Sequence, residues 1–406
     1  MSFQQGLSGL NAASRNLAAI GNNVANASTI GYKTARAEFA DVFANSLSGS
    51  GGSQVGIGVS LAAVRQQFTQ GNIITSANAM DLAINGAGFF RMSSNGVASY
   101  TRNGQFSLDR DGFIVNASGA RLTGYPADPA GLVSASTPAE LRISLANLAP
   151  QATSRATMAL NLDSREAVVG PAFNINDAGT YSSSTAMTVY DSQGNATTLT
   201  AYFRKTAANA WEVYGAANGA VLNGGAPIGT LAFGANGLLA ADQTMNVSIP
   251  LANGAASPLA FPVTFPVTEM TQFGVNFAAS TLTQDGFTTG RIAGFSIAED
   301  GTILGRYTNG QTRAQGQVVL ANFVSPQGLA ALGNNQWAET AESGQALVAA
   351  PGSGSLGVLQ AGALEEANVD LTAELVNMIT AQRIYQANAQ TIRTQDQVLQ
   401  TLVNLR

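Results

Sequence analysis

The sequence predicts an α+β protein that is mainly β: terminal helices forming a coiled coil, with two nested β-rich domains inserted between them. Three observations carry this prediction. Apolar residues recur every seven positions at both ends of the chain. The middle alternates apolar and polar residues around Asp-Gly and Asn-Gly turns. Two of these turn-rich stretches echo one another across a segment of different composition.

The first helix rests on Phe3, Leu10, Leu17 and Val24, with Leu7 and Ile20 between them. This is the seam spacing of a coiled coil. Ser2 and Gln5 have the spacing of a capping box, which would start the helix almost at the first residue. The last helix rests on Leu371, Met378, Tyr385, Ile392 and Leu399, broadened by Leu375, Val376, Ile379, Val398, Leu402 and Val403. Asp370 suits its N-cap. No Pro or Gly interrupts Leu371–Leu405, so one helix of about 35 residues, roughly 50 Å long, is expected.

In the middle, SYTRNGQFSLDRDGFIVN and GFSIAEDGTILGRYTNGQ read as hairpins. Phe106-Ser107-Leu108-x-x-Asp111-Gly112-x-Ile114-Val115 matches Phe295-Ser296-Ile297-x-x-Asp300-Gly301-x-Ile303-Leu304. Residues 146–285 are rich in Thr, Ala and Val, with further hairpins in AMTVYDSQGNATTLTAYF and AWEVYG. The simplest arrangement is nested. Residues 1–32 and 365–406 form a helical core domain, 33–70 and 350–364 connectors, 71–145 and 286–349 one discontinuous β-rich domain, and 146–285 an inserted outer β domain. The Gly/Ser stretches SLSGSGGSQVGIG (46–58) and APGSGSLG (350–357) read as flexible joints between helices and β core.

Composition narrows the function classes. Only 11% of the 406 residues are charged, against roughly 25% in an ordinary soluble protein. No apolar run is long enough for a membrane span. The net charge of −5 argues against a nucleic-acid partner. The chain has no Cys and no His, so no disulfide, thiolate nucleophile or Ser-His-Asp triad is available. Lys33 and Lys205 are the only lysines. The start, MSFQQGLSGL, lacks the basic region of a cleaved signal peptide, so the expectation is a cytoplasmic protein or one exported by a route that cleaves nothing.

The chemical motifs are weak. Gly352-Ser353-Gly354-Ser355-Leu356-Gly357 fits a dinucleotide fingerprint, but Pro351 stands where a buried strand should run. Asp109-Arg110-Asp111-Gly112 opens like a calcium loop but lacks the later ligands, and reads as a hairpin turn. The pairs Glu299/Asp300 and Glu365/Glu366 are sequence neighbours, which point different ways on a strand or helix. No catalytic, metal or cofactor-binding residue is assigned, no cofactor is expected, and the chain reads as a non-enzyme.

Two terminal stretches carry a resemblance. GLSGLNAASRNLAAIGNNVANASTIGYKTARAEFADVF (6–43), with Asn22, Asn23 and Asn26 followed by Gly31, Tyr32 and Lys33, resembles the N-terminal signature of the bacterial flagellar rod and hook proteins. GALEEANVDLTAELVNMITAQRIYQANAQTIRTQDQVLQTLVNLR (362–406) resembles their C-terminal signature. Between them MDLAINGAGFF, YTRNGQFSLDRDGFIVNASGARLTGYPA, VYDSQGNATTLTAYF and GQVVLANFVSPQGLA resemble the hook members, and the length and inserted middle favour hook over rod.

The resemblance implies a structural subunit of a curved, flexible extracellular tube that joins rod to filament as a universal joint and transmits motor torque. It implies self-assembly into a helical homopolymer, with rod proteins at one end and hook–filament junction proteins at the other. It also implies contact with a hook cap and a type III export apparatus during assembly. The terminal helices would form the inner core, their heptad residues the assembly interface. Two other readings stay open: a distal rod protein, straight rather than curved, and, from another class, an exported carbohydrate-binding or adhesive β protein. Low charge suits a self-packing subunit, because identical charges on neighbouring copies would repel.

Overall fold

The computed structural model describes residues 2–42, 56 and 58–404; the side chains described are those of 3–42, 56 and 58–401. The stretch 46–58, read above as a joint, lies outside these residues except at Gly56 and Gly58. The chain divides into two compact units, Met1–Leu145 with Gly294–Arg306 and Thr312–Arg406, and Ala146–Ala293 with Tyr307–Gln311.

The first unit holds both helices, α1 (Ser2–Ala25) and α2 (Leu371–Asn404), which pack together. Asp370 caps α2, its Oδ1 accepting the Ala373 N–H at 3.0 Å. The side chain of Ser2, the other half of the expected capping box, lies outside the described residues; that of Gln5 is held from another quarter. Its amide donates to the Gly56 carbonyl at 2.7 Å, because the second strand of a hairpin begins beside this turn. That hairpin, β1 (Ala35–Val42) and β2 (Gly58–Gln66), is antiparallel with a bulge at Glu38/Phe39 and lies against α1.

The β part of this unit draws strands from both flanks of the insertion. Arg121–Pro126 pairs with Thr312–Val318, Val97–Thr101 with Gln336–Ala338, and Phe89–Ser94 with Leu320–Asn322. Its core is a knot of edge-to-face rings. Phe89 lies 5.7 Å from Trp337, Phe68 lies 5.4 Å from each of them, and Tyr100 lies 4.8 Å from Phe323.

The two echo segments fold alike. In each, the first residue of the turn donates its N–H four residues on and accepts from the residue three on: Asp109 with Phe113 and Gly112, Ala298 with Thr302 and Gly301. Gly112 and Gly301 take φ of 85° and 82°, which a side chain would strain. The Asp109 carboxylate is spent on the Asp111 and Phe113 N–H groups, so it is a turn and not a calcium loop. Asn103-Gly104 departs from the hairpin reading. There the chain passes so close to Leu82 that a Cβ on Gly104 would overlap the Leu82 carbonyl, and only glycine fits.

Residues 350–357 also depart from expectation. They close a turn with Gly352 N–H to Gly357 C=O at 2.9 Å and Gly357 N–H to Ala87 C=O at 2.7 Å. The chain then runs directly into Val358–Ala361, paired with Leu82–Asn85, and Ala363–Glu365, paired with Ile73–Thr75. These bonds make the stretch a fixed turn rather than a joint.

The second unit is a β sandwich. One sheet orders Gln243–Ile249, Leu259–Phe265, Ala156–Asn161 and Ala278–Gln284. The other is built on Ser183–Tyr190, Ala196–Ala207 and Ala210–Ala217. Alternate residues point into one shared core, among them Leu199, Phe203, Trp211, Val213, Val247, Phe261, Val263 and Phe265. Buried Trp211 donates to Gln272 Oε1 at 2.8 Å. Lys205, also buried, donates to the Ser164 and Glu166 carbonyls at 2.7 and 2.8 Å.

Candidate functional site

The site expected from sequence is the apolar seam of the two helices. They run antiparallel: Gly6 faces Ile392, Gly9 faces Asn388, and Asn23 reaches Glu374. The line buried between them is small. A Cβ on Gly6 would meet Ile392 at 3.1 Å, one on Gly9 would meet Asn388 at 3.0 Å, and Ala13, Ile20 and Ala381 are buried. The interleaved heptad positions Leu10, Leu17 and Val24 on α1, and Met378 and Ile392 on α2, are half-buried.

The remaining expected residues stay exposed. Phe3 and Leu7 are each 45% accessible, Leu371 46%, Leu375 44%, Tyr385 38% and Leu399 49%. Val376, Ile379 and Val398 add to this uncovered apolar surface. The Leu402 side chain lies outside the described residues. The structure therefore separates the expected residues into a thin seam used within the chain and a broad apolar face that no described element covers.

The signature residues meet where the helices join the β part of this unit. Asn23, buried, pairs with Ala35 like a strand residue: its Oδ1 accepts the Ala35 N–H and its Nδ2 donates to the Ala35 carbonyl, both at 2.9 Å. Asn22 Oδ1 accepts from Asn26 Nδ2 at 2.8 Å, and the Tyr32 hydroxyl is shared between Asn22 Oδ1 and Asn23 Oδ1 at 3.1 and 3.0 Å. Burial, and then the Glu374 charge, push the Tyr32 phenol up. Gly31 has φ of 70°, and a Cβ there would lie 2.6 Å from the Asn103 nitrogen, so only glycine fits the turn.

Beside this turn sits a charge cluster that sequence reasoning missed. Lys33, completely buried, donates to Glu365 Oε1 and to the Thr69 carbonyl, both at 2.7 Å. Glu365 also accepts the Gly71 N–H at 2.9 Å, and its Oε2 takes Arg102 Nη1 at 3.0 Å. Arg102 Nη2 donates to the Gly86 carbonyl at 2.8 Å, and its guanidinium lies 5.4 Å from the Phe89 ring centre. Burial pushes the pKa of Lys33 and Arg102 down, and Glu365 opposes it in both. Next to it Asn368 Oδ1 accepts the Thr34 N–H at 2.8 Å while its Nδ2 donates to the Gln67 carbonyl at 2.8 Å. The cluster thus ties 31–34, which follow α1, to 365–368, which precede α2. The signal was present: Lys33 is one of two lysines, inside the N-terminal signature, and Glu365 lies in the C-terminal one.

This arrangement holds two helices at a fixed root and leaves their outer faces free. Among the described residues no group of three or more acidic, His or Cys side chains is placed to hold a metal, and no helix is long and apolar enough to cross a membrane.

Four family models match the chain in succession. "Flagella basal body rod protein" covers 3–33, "Flagellar hook protein FlgE/F/G D1 domain" 83–160, "Flagellar basal body protein FlaE D2 domain" 161–287, and "Flagellar basal body rod FlgEFG protein C-terminal" 360–405. The chain is 45% identical over 412 residues to the flagellar hook protein FlgE of Salmonella typhimurium, with 100% of each covered. It is 36% identical to that of Rhizobium meliloti over 423 residues, covering 100% of this chain and 98% of the relative. The Helicobacter pylori flagellar hook protein FlgE2 crystal structure shares the fold, with a TM-score of 0.53 at 14% identity, over 71% of this chain and 99% of that one. The matches run the full length, including the inserted unit, and the chain belongs to the flagellar hook protein family.

Proposed function

We propose that the chain is the repeating subunit of the flagellar hook, a helical homopolymer in which the exposed faces of α1 and α2 pack against other copies. The observation that carries this is the uncovered apolar surface of Phe3, Leu7, Leu371, Leu375, Tyr385 and Leu399 on two helices whose shared seam is thin. Growth of a helical tube needs heterologous contacts, one patch meeting a different patch on the next copy. Each apolar side chain fully covered would contribute ~1.5–3 kcal/mol. Leu10, Leu17, Ile20, Val24, Met378, Ile392 and Leu402 complete the proposed interface. Asn22, Asn23, Asn26, Gly31 and Tyr32 set the angle at which the helix pair leaves its root.

In this reading the tube is curved and flexible, and carries torque from rod proteins at one end to junction proteins and filament at the other. The subunit is exported without cleavage through a type III apparatus and added beneath a cap, and its role is mechanical rather than catalytic. The fixed turn at 350–357 leaves one of the two expected joints without a bending role. Electron microscopy of the concentrated pure protein tests the reading. Curved tubes are expected; straight tubes would favour the distal rod alternative, and a monomer at all concentrations would refute assembly.

A further inference from the structure

A groove in the helical region holds a carboxylate oxygen left without a partner among the described residues. α1, α2 and β1 enclose a space of about 740 Å³. Its buried lining sets apolar Ile20, Ala37 and Ala381 beside the amide of Asn23. Glu374 stands in its wall. One oxygen accepts a long bond from Asn23 Nδ2 at 3.4 Å, and the other, shielded from solvent, has no hydrogen-bond partner among the described residues. An unpaired buried carboxylate oxygen is costly, and a donor that reaches it would be bound strongly. Arg36 lines the same groove but does not bond either oxygen of Glu374.

The opposite face of α2 carries the complement. Arg383 is nine positions from Glu374, about 180° around the helix, and is exposed without an ion-pair partner among the described residues. Val376 and Ile379, at 58% and 52% exposure, stand seven and four positions before it and form one ridge with it. A ridge of two apolar side chains and a guanidinium complements a groove that offers Ile20, Ala37 and Ala381 beside a carboxylate.

We infer that this ridge on one copy docks into the groove of a second copy, with Arg383 of one paired to Glu374 of the other. Glu374 turns about its side-chain bonds to present the free oxygen. Groove and ridge lie on different sides of α2, so the contact is heterologous, the kind that a helical filament repeats from copy to copy. The inference rests on the self-assembly reading above.

The test is a charge swap in the full chain, read as the critical concentration for tube formation. Glu374→Arg and Arg383→Glu should each raise it by at least about tenfold, and the double variant should restore most of the loss. Thermal unfolding of the β units, unchanged in each single variant, separates lost docking from lost folding. As a second readout, Glu374→Cys and Arg383→Cys chains are mixed and oxidised; the chain has no other cysteine. A disulfide between the two variants, absent when Glu374→Cys is mixed with a solvent-face Thr394→Cys control, is expected. Single variants that assemble like the unaltered chain, as pairing of Glu374 with Arg36 of the same copy would give, overturn the docking, as does a double variant no better than the singles. No tubes from the unaltered chain together with no mixed disulfide from the cysteine variants overturns the assembly reading and the docking together; tubes from the unaltered chain without that mixed disulfide overturn the docking alone.

Discussion

At the scale of single residues, the few charges of this chain are placed rather than scattered. Both lysines are buried and spend their protons on carbonyls or a carboxylate. Glu365 serves two cations at once, so Glu365→Gln would leave Lys33 and Arg102 facing one another in a site closed to water. We predict that it destabilises the first unit by about 3–5 kcal/mol, measured by denaturant unfolding followed at Trp337. A Lys33→Met variant, which leaves Glu365 paired with Arg102, should cost less. In the second unit Asp191 closes the hairpin turn to Asn195. Burial would raise its carboxyl, but bonds from the Asn195 and Asn253 side chains and the Asn195 and Gln193 N–H groups outweigh it and hold the pKa at about 2. An unfolded aspartate titrates near 3.9. The folded value is depressed, so the contribution is full above about pH 4 and is lost as pH falls from there toward about 2. Trp211 fluorescence in a Trp337→Phe background should show this loss, and Asp191→Asn should flatten that part of the profile while lowering stability at pH 7.

At the scale of elements, the helix pair is thin where it meets itself. Gly6, Gly9, Ala13 and Ala381 allow close approach but bury little apolar area, and isolated helices are marginal without tertiary support. The amides of α2 beyond Gln390 are therefore expected to exchange rapidly in the monomer and to become protected in tubes. Protection in the monomer equal to that of the β units would contradict this. Gly9→Leu, placed against Asn388, should force the helices apart and block tube formation while leaving β-unit melting unchanged. The helices were legible in the sequence because heptads are regular, and so were the hairpins at Asp109–Phe113, Asp191–Asn195 and Ala298–Thr302, because Asp and Gly are needed for their geometry. Which helix face turns inward was not legible. The large heptad residues draw the eye, while glycine and alanine at the intervening positions decide the approach. Nor was the root of the helices: Lys33, Arg102 and Glu365 stand 332 residues apart at their ends, and no local pattern joins them. APGSGSLG misled for a related reason, since its composition is that of a linker and its rigidity comes from Asn85–Ala87, far away in sequence.

At the scale of the whole molecule, the low charge acquires a place. Among the described residues α1 carries a single charged side chain, Arg15, and the helices offer Asn, Gln, Ser and Thr on the faces left free. Such faces hydrogen-bond across copies without setting like charges against each other. Strength then comes from the apolar residues the monomer leaves uncovered, while each β part carries a core of its own. Deleting 1–30 removes α1 and its seam with α2 while sparing every β strand, so it separates assembly from folding. The most direct measurement is electron microscopy of the concentrated full chain beside this deletion, with circular dichroism of both. The account predicts curved tubes from the full chain and, from the deletion, a folded β protein that forms none. Tubes from the truncated chain would contradict it.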